Sequence, residues 1–238
     1  MRLPLRALSD RRLRALHVAA TDSVAAFARA TAEHGSLTQS WVGGADVLAL
    51  KHYPAGGVLD RCRGAQFFYH CHRANAAEHG HLHLFWHATR TGRRRYLRRT
   101  GQWIRSAPSP LLSIGLDARG LPVSVFTVNH WVAGGYWFDA ATTLERVRRF
   151  ELRDVPGHAD ACTWLTAFVR LYEPVITRVL GARDRRIAGL GSASRSAADV
   201  LGDRRIEVLS SARLDWAADI ERLESELTRR GLDRENAR

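Results

Sequence analysis

Histidine recurs at every second position in two neighbouring segments of this chain, His70-x-His72 and His79-x-His81-x-His83. Period-two alternation is the signature of a β-strand, in which residues i and i+2 project from one face. The stretch YHCHRANAAEHGHLHLFWH, residues 69–87, therefore reads as two antiparallel strands joined by a connection at 74–77. Placing His72 opposite His79 sets His70 against His81 and Phe68 against His83. Directly opposed residues share a face. In that register His70, His72, His79, His81 and His83 project from one side. Tyr69, Cys71, Leu82, Leu84 and Trp86 form the other, which is apolar and suited to packing on helices. A slip of one residue would separate the two histidine sets. His87 keeps the alternation but lies at the strand end, and ranks behind the other five.

Imidazole is the commonest metal ligand and suits zinc, copper, iron and nickel. Three histidines with an open position form a recurring catalytic site, and two histidines with one carboxylate suit non-haem iron(II). Glu78 opens the second strand, and His52 and Asp60 flank the preceding segment, within reach of the same site. The candidate metal ligands are His70, His72, His79, His81, His83 and His52. Tyr69, Glu78 and Asp60 are the candidate acid–base or supporting groups. A metal-free, histidine-lined pocket is the competing reading, and a hydrogen-bonded sheet face the plainest one. Five histidines at strand spacing in adjoining strands favour the metal.

Around this hairpin the periodicity changes. Leu13, Leu16, Ala20, Val24 and Phe27 form a helical stripe within residues 5–34, and Gly35 is a natural stop. Residues 52–57, HYPAGG, read as a turn. Residues 111–116 and 121–129 flank the turn DARG as a second hairpin, and residues 136–138 suggest one more short strand. From residue 141 the pattern is helical, with Thr142 or Thr143 as a cap, a break near Pro174, and a final amphipathic helix at 214–230 after Ser210 or Ser211. The expected fold is α+β: one domain with a helical segment at 1–40, a curved antiparallel sheet at 45–140 and a helical segment at 141–238. Cupin-like or barrel-like curvature is among the options for the sheet.

The net charge is +12, carried almost wholly by arginine, since Lys51 is the single lysine. Such a surface attracts anions. Arg93, Arg94, Arg95, Arg98 and Arg99, with Tyr96 and Trp103 interleaved, suit phosphate contacts and base stacking, but a solvated loop is the simpler reading. No apolar run of membrane-spanning length occurs. Three cysteines, an odd number without motif spacing, point to a reducing cytoplasm. No phosphate-binding loop, dinucleotide fingerprint or helix-turn-helix pattern is evident.

HYPAGGVLD (residues 52–60), QFFYHCHR (66–73) and EHGHLHLF (78–85) occur in that order. They resemble the HYPxGDVYD, QYYYHAHR and EHGHFHTF motifs of a bacterial family of about this length that has no established activity. A later NRWVTGExW element of that family is similar to residues 129–137. Gly57, Leu59, Phe67, Phe68 and His130 depart from the pattern, where relatives carry Asp, Tyr, Tyr, Tyr and Arg. His52, Asp60, Gln66, Tyr69, His70, His72, Glu78, His79, His81 and His83 match it. A partial similarity to the first cupin metal motif, through Gly64, His70, His72, Glu78 and Gly80, implies only an imidazole pair and a carboxylate delivered from adjacent strands.

The functional expectation is a metal-dependent oxidoreductase acting on a small molecule, which the basic surface would allow to be anionic. Iron(II) is favoured, with copper or zinc as alternatives. A copper or zinc carrier or sensor is the second reading, and a basic nucleic-acid-associated protein the third.

Overall fold

The computed structural model describes residues 2–71, 78–87, 107–153 and 155–232, together with the backbone of four short strands between 89 and 105. A 3-10 turn at Leu5–Ala7 leads into α1, Asp10–His34, and then α2, Gln39–Val42. Ser9 caps α1 by accepting from the Arg12 N–H, and Gly35 ends it in the left-handed conformation, φ 82°. The strands β1 (Tyr53–Leu59), β2 (Ala65–His70) and β3 (Gly80–Trp86) follow. Two separate two-stranded ladders come next: β4 (Thr89–Arg90) with β5 (Arg93–Arg94), and β6 (Tyr96–Arg99) with β7 (Gln102–Arg105). The chain continues through β8 (Ser109–Leu116), β9 (Pro122–Val128) and α3 (His130–Ala133). Next come α4 (Ala140–Arg148), α5 (Ala159–Leu171), α6 (Glu173–Leu190) and α7 (Ala197–Gly202), and then β10 (Val208–Arg213) and α8 (Trp216–Arg229).

The main sheet is antiparallel, in the order β1-β2-β3-β8-β9-β10. It is open, with β1 and β10 at its edges, so it does not close into a barrel. One face carries Phe67, Tyr69, Leu82, Leu84, Ile114 and Val125 into a core shared with Leu13 and Leu16 of α1, Trp41 of α2, and Trp164 and Phe168 of α5. Alternation sends Gln66, Phe68, His70, His81, His83 and Ser113 to the other face. There Phe85 and Phe126 are buried apart from that core, and Pro108, Val132 and Ala133 come over the sheet. No helix among the described residues is long and apolar enough to cross a membrane.

Four expectations give way. Residues 53–57 belong to strand β1, not to a turn. The register shifts between Tyr53 and Val58, where Gly56 and Gly57 have φ of 79° and 72°, so the glycines build a bulge that keeps the strand in the sheet. Residues 136–138 form no strand. Ser210 and Ser211 lie inside β10 and Asp215 caps α8, accepting from the Ala218 N–H; a six-residue strand between helices carries too short a pattern to stand out. Asp139, rather than Thr142 or Thr143, caps α4 through the Thr142 N–H. The break near Pro174 is real: α5 ends at Leu171, and the proline occupies the first turn of α6, where its missing N–H leaves no bond unmade.

Candidate metal centre

The β2–β3 register pairs His70 with His81 and Phe68 with His83, as alternation predicts. Next to β3, β8 sets Ser113 opposite His83 and Gly115 opposite His81. Four backbone positions on two neighbouring strand pairs thus place the site, and its side chains follow from them.

His70 Nε2 lies 2.8 Å from His81 Nε2 and 3.0 Å from His83 Nε2. The rings stand nearly perpendicular to one another, with centroids 4.6–4.8 Å apart. All three are buried, with 9%, 1% and 4% of their surface exposed. Three ring nitrogens aimed at one another cannot all present lone pairs across an empty gap, so a shared proton or a cation must lie between them. Among the described residues this is the group of His, Cys, Asp or Glu side chains able to hold a metal, its ligand atoms all lying within 4.8 Å.

Each strand neighbour fixes a ring from behind. Glu78 Oε1 sits 2.8 Å from His81 Nδ1. A carboxylate accepts, so Nδ1 carries the proton and His81 Nε2 presents its lone pair to the group. Ser113 Oγ lies 2.8 Å from His83 Nδ1 and orients that ring. The Glu78 carboxylate has room because Gly115 has no side chain: a Cβ there would stand 2.6 Å from Glu78 Oε2 and 2.4 Å from Ser124 Oγ. We expect Glu78→Gln to fold normally and to lose about 10–100-fold in metal affinity, the usual effect of removing a partner of a metal-bound histidine. Titration calorimetry with zinc on both proteins measures it.

Of the five histidines expected on one face, His70, His81 and His83 converge among the described residues. His79 precedes β3 and is exposed, and its Nδ1 pairs with the Tyr69 hydroxyl at 2.7 Å. Tyr69 belongs to the core face and reaches His79 by crossing Gly80, where a Cβ would stand 2.3 Å from its hydroxyl oxygen. Burial, with the nearby Cys71 and Glu78, pushes the Tyr69 hydroxyl pKa up, so it stays protonated. His72 lies outside the described residues, as do the side chains of the arginine-rich segment at 93–99. Glu78 stands behind His81, so the described ligand group is three histidines rather than two and a carboxylate.

His52 lies at the rim. Its ring stacks on Phe68 at 3.9 Å and is 5.5 Å from that of His70, and burial lowers its pKa. Asp60 has a different task. Its carboxylate accepts from the backbone N–H groups of Cys62, Arg63 and Arg153 and from the Arg63 guanidinium, closing the β1–β2 loop onto the start of the helical segment. Burial opposes its charge, but these donors outweigh burial and hold it below the ordinary carboxylate range. Asp60→Ala should cost roughly 2–3 kcal/mol by leaving N–H groups unpaired. Because the folded-state pKa is depressed, this contribution is full above the unfolded value of about 3.9 and disappears as pH falls through the folded value. Urea melts of parent and variant should differ near neutrality and converge in acid.

Beside the imidazoles lies a cavity of about 290 Å³. It reaches His70 and His83, is walled by Phe68, Phe85, Val132 and Ala133, and takes in His52 and Gln66. His87, ranked behind the other five from the sequence, is buried, its Nε2 2.6 Å from Gln66 Oε1. Ser113 and Gly115 lie outside the motifs that mark the hairpin, and Gln66 is marked only by its match to the family pattern. A serine and a glycine two apart in the apolar run LLSIGL were the available signal, since they mark the same face as a strand that passes beside bulky neighbours.

Fold and site together define an α+β protein with an open antiparallel sheet and a buried triple-histidine group that could hold a transition metal ion. A family model described as a domain of unknown function, DUF6969, matches residues 17–214, and the chain belongs to that family. No curated protein and no solved structure matches it.

Proposed function

We propose that this protein is a metal-dependent enzyme acting on a small molecule, with His70, His81 and His83 as ligands of a divalent transition metal. Iron(II) is the first choice, copper or zinc the alternatives, and oxidation the favoured reaction. The observation that carries the reading is the cavity: it reaches two of the three imidazoles and leaves that side of the group facing room for a substrate. A carrier is better served by a coordination sphere closed by protein side chains. An all-nitrogen donor set without a thiolate among the described ligands suits iron, copper and zinc alike; iron is placed first for the oxidation it would support, and loading with each ion decides between them. When bound, the metal supplies a Lewis acid and, for iron or copper, an electron. The chain's own part is to hold the His81 proton at Nδ1 through Glu78, to orient His83 through Ser113, and to keep bulk water off the rings with Phe68, Phe85 and Phe126.

The test is elemental analysis of protein purified without a histidine tag or metal resin, before and after anaerobic loading with iron(II), copper or zinc. About one metal per chain is expected. At a hundredfold excess over Kd, binding stabilises by about 2.7 kcal/mol, which raises Tm by roughly 5–10 °C in a chain of this length. No stoichiometric uptake of any of the three ions removes the reading. Uptake without a solvent-exchangeable position, read by spectroscopy, replaces the enzyme with a carrier.

A further inference from the structure

We infer that the cavity beside the three imidazoles binds a small, uncharged aromatic ring bearing a hydroxyl, of which phenol is the simplest member. The first observation is a column of rings. His52 stacks on Phe68 at 3.9 Å and 21°, and Phe68 on Phe85 at 5.4 Å and 25°. Rings stacked on one another turn their edges sideways, and an aromatic occupant would meet those edges with its face, the edge-to-face contact favoured at about 4.5–7 Å between centroids. Val132 and Ala133 complete the lining of this cavity of about 290 Å³, which is room for a small ligand.

The second observation is charge. No Asp, Glu, Lys or Arg lines the cavity among the described residues. In the metal-free protein a carboxylate or ammonium group entering it would leave water with no charged partner among the described residues, which is costly. Without a metal, this argues against the anionic substrate that the basic surface suggested.

The third is the identity of the polar groups. Gln66 Oε1 is taken by His87 Nε2 at 2.6 Å, which fixes the amide and leaves its NH₂ as the donor. His70 and His83 also line the cavity. A neutral hydroxyl, which both donates and accepts, matches this set. The inference rests on the metal-site reading for which end of the ligand faces the imidazoles, and its preference for a neutral ligand applies to the metal-free protein; the aromatic contacts do not depend on a metal.

The test titrates metal-free and zinc-loaded protein separately with phenol, benzoate and cyclohexanol, followed by calorimetry. Salt is set at about 0.15 M, where the Debye length is about 8 Å and the net positive charge helps benzoate little. In the metal-free protein phenol should bind one per chain, about tenfold or more tightly than either analogue, a difference readily resolved in Kd. Ala133→Leu, which fills the cavity from α3 without touching the sheet, should weaken phenol binding by about tenfold while melting and zinc uptake stay parent-like. Benzoate or cyclohexanol binding the metal-free protein as well as phenol does, no phenol binding, or phenol binding unchanged in a folded Ala133→Leu variant each overturns the inference. Phenol bound without zinc uptake would instead remove the metal reading and leave this one standing; zinc uptake without phenol would do the reverse.

Discussion

Replacing His70 and His81 together by alanine should abolish stoichiometric metal binding while leaving a folded protein. The two residues pair across β2 and β3 and supply two of the three converging nitrogens. Of the described group His83 alone then remains, and a single imidazole holds a metal weakly. Removing only an outer partner typically costs about 10–100-fold, so losing two ligands should exceed that. The fold should survive because the rings lie on the face away from the main core, whose cluster includes neither of them. A loss of about 1–3 kcal/mol is expected from the emptied space. Zinc is the convenient probe, being redox-silent, and elemental analysis with thermal melting gives both answers. His52→Ala is the control: it stands at the rim, outside the group of three, and should keep one metal per chain. A double variant that still takes up one zinc with parental affinity would place the ligands elsewhere.

Gly80→Ala should be among the most damaging single methyl additions. A Cβ at this position would stand 2.3 Å from the Tyr69 hydroxyl oxygen, 2.6 Å from its ring carbon Cζ and 2.8 Å from the backbone oxygen of His70. The phenol can swing aside only by giving up His79, and the His70 carbonyl moves only with its strand. Overpacking of this kind costs about 1–3 kcal/mol, so Tm should fall by roughly 3–10 °C. Because the displaced backbone belongs to His70, metal affinity should fall as well. Tyr69→Phe separates the causes: it removes the hydroxyl contact with His79 at a cost of about 1 kcal/mol, and should leave metal binding near the parental value. Combined with Gly80→Ala it should restore little, since the ring carbon and the His70 oxygen still collide. A Gly80→Ala protein as stable as the parent would mean that the strands part at no cost there.

The hairpin could be read from residue order because side-chain direction in a strand is local. His70, His81 and His83 share a face in any antiparallel pairing that sets residue 70 opposite 81, and the apolar partners Tyr69, Leu82 and Leu84 permit only that face to turn outward. The long helices were legible for the same reason, their apolar stripes repeating over several turns. Strand β10 and the bulge in β1 were not. A short strand gains its identity from pairing with β9, far away in sequence, and HYPAGG has turn composition even though the sheet holds it extended.

The sequence by itself determined the histidine face, the β2–β3 register and the α+β class, all of which follow from period and neighbour chemistry. It could not determine how many histidines converge. His79 turns to Tyr69, which reaches it from the opposite face past Gly80, and His87 pairs with Gln66. Nor could it choose between Glu78 and Asp60. Both are carboxylates near the hairpin, yet one is seated over Gly115 against His81 and the other is consumed by the backbone of a loop. Such choices depend on which atoms from distant segments come within a few ångströms, and only the packed sheet brings them there.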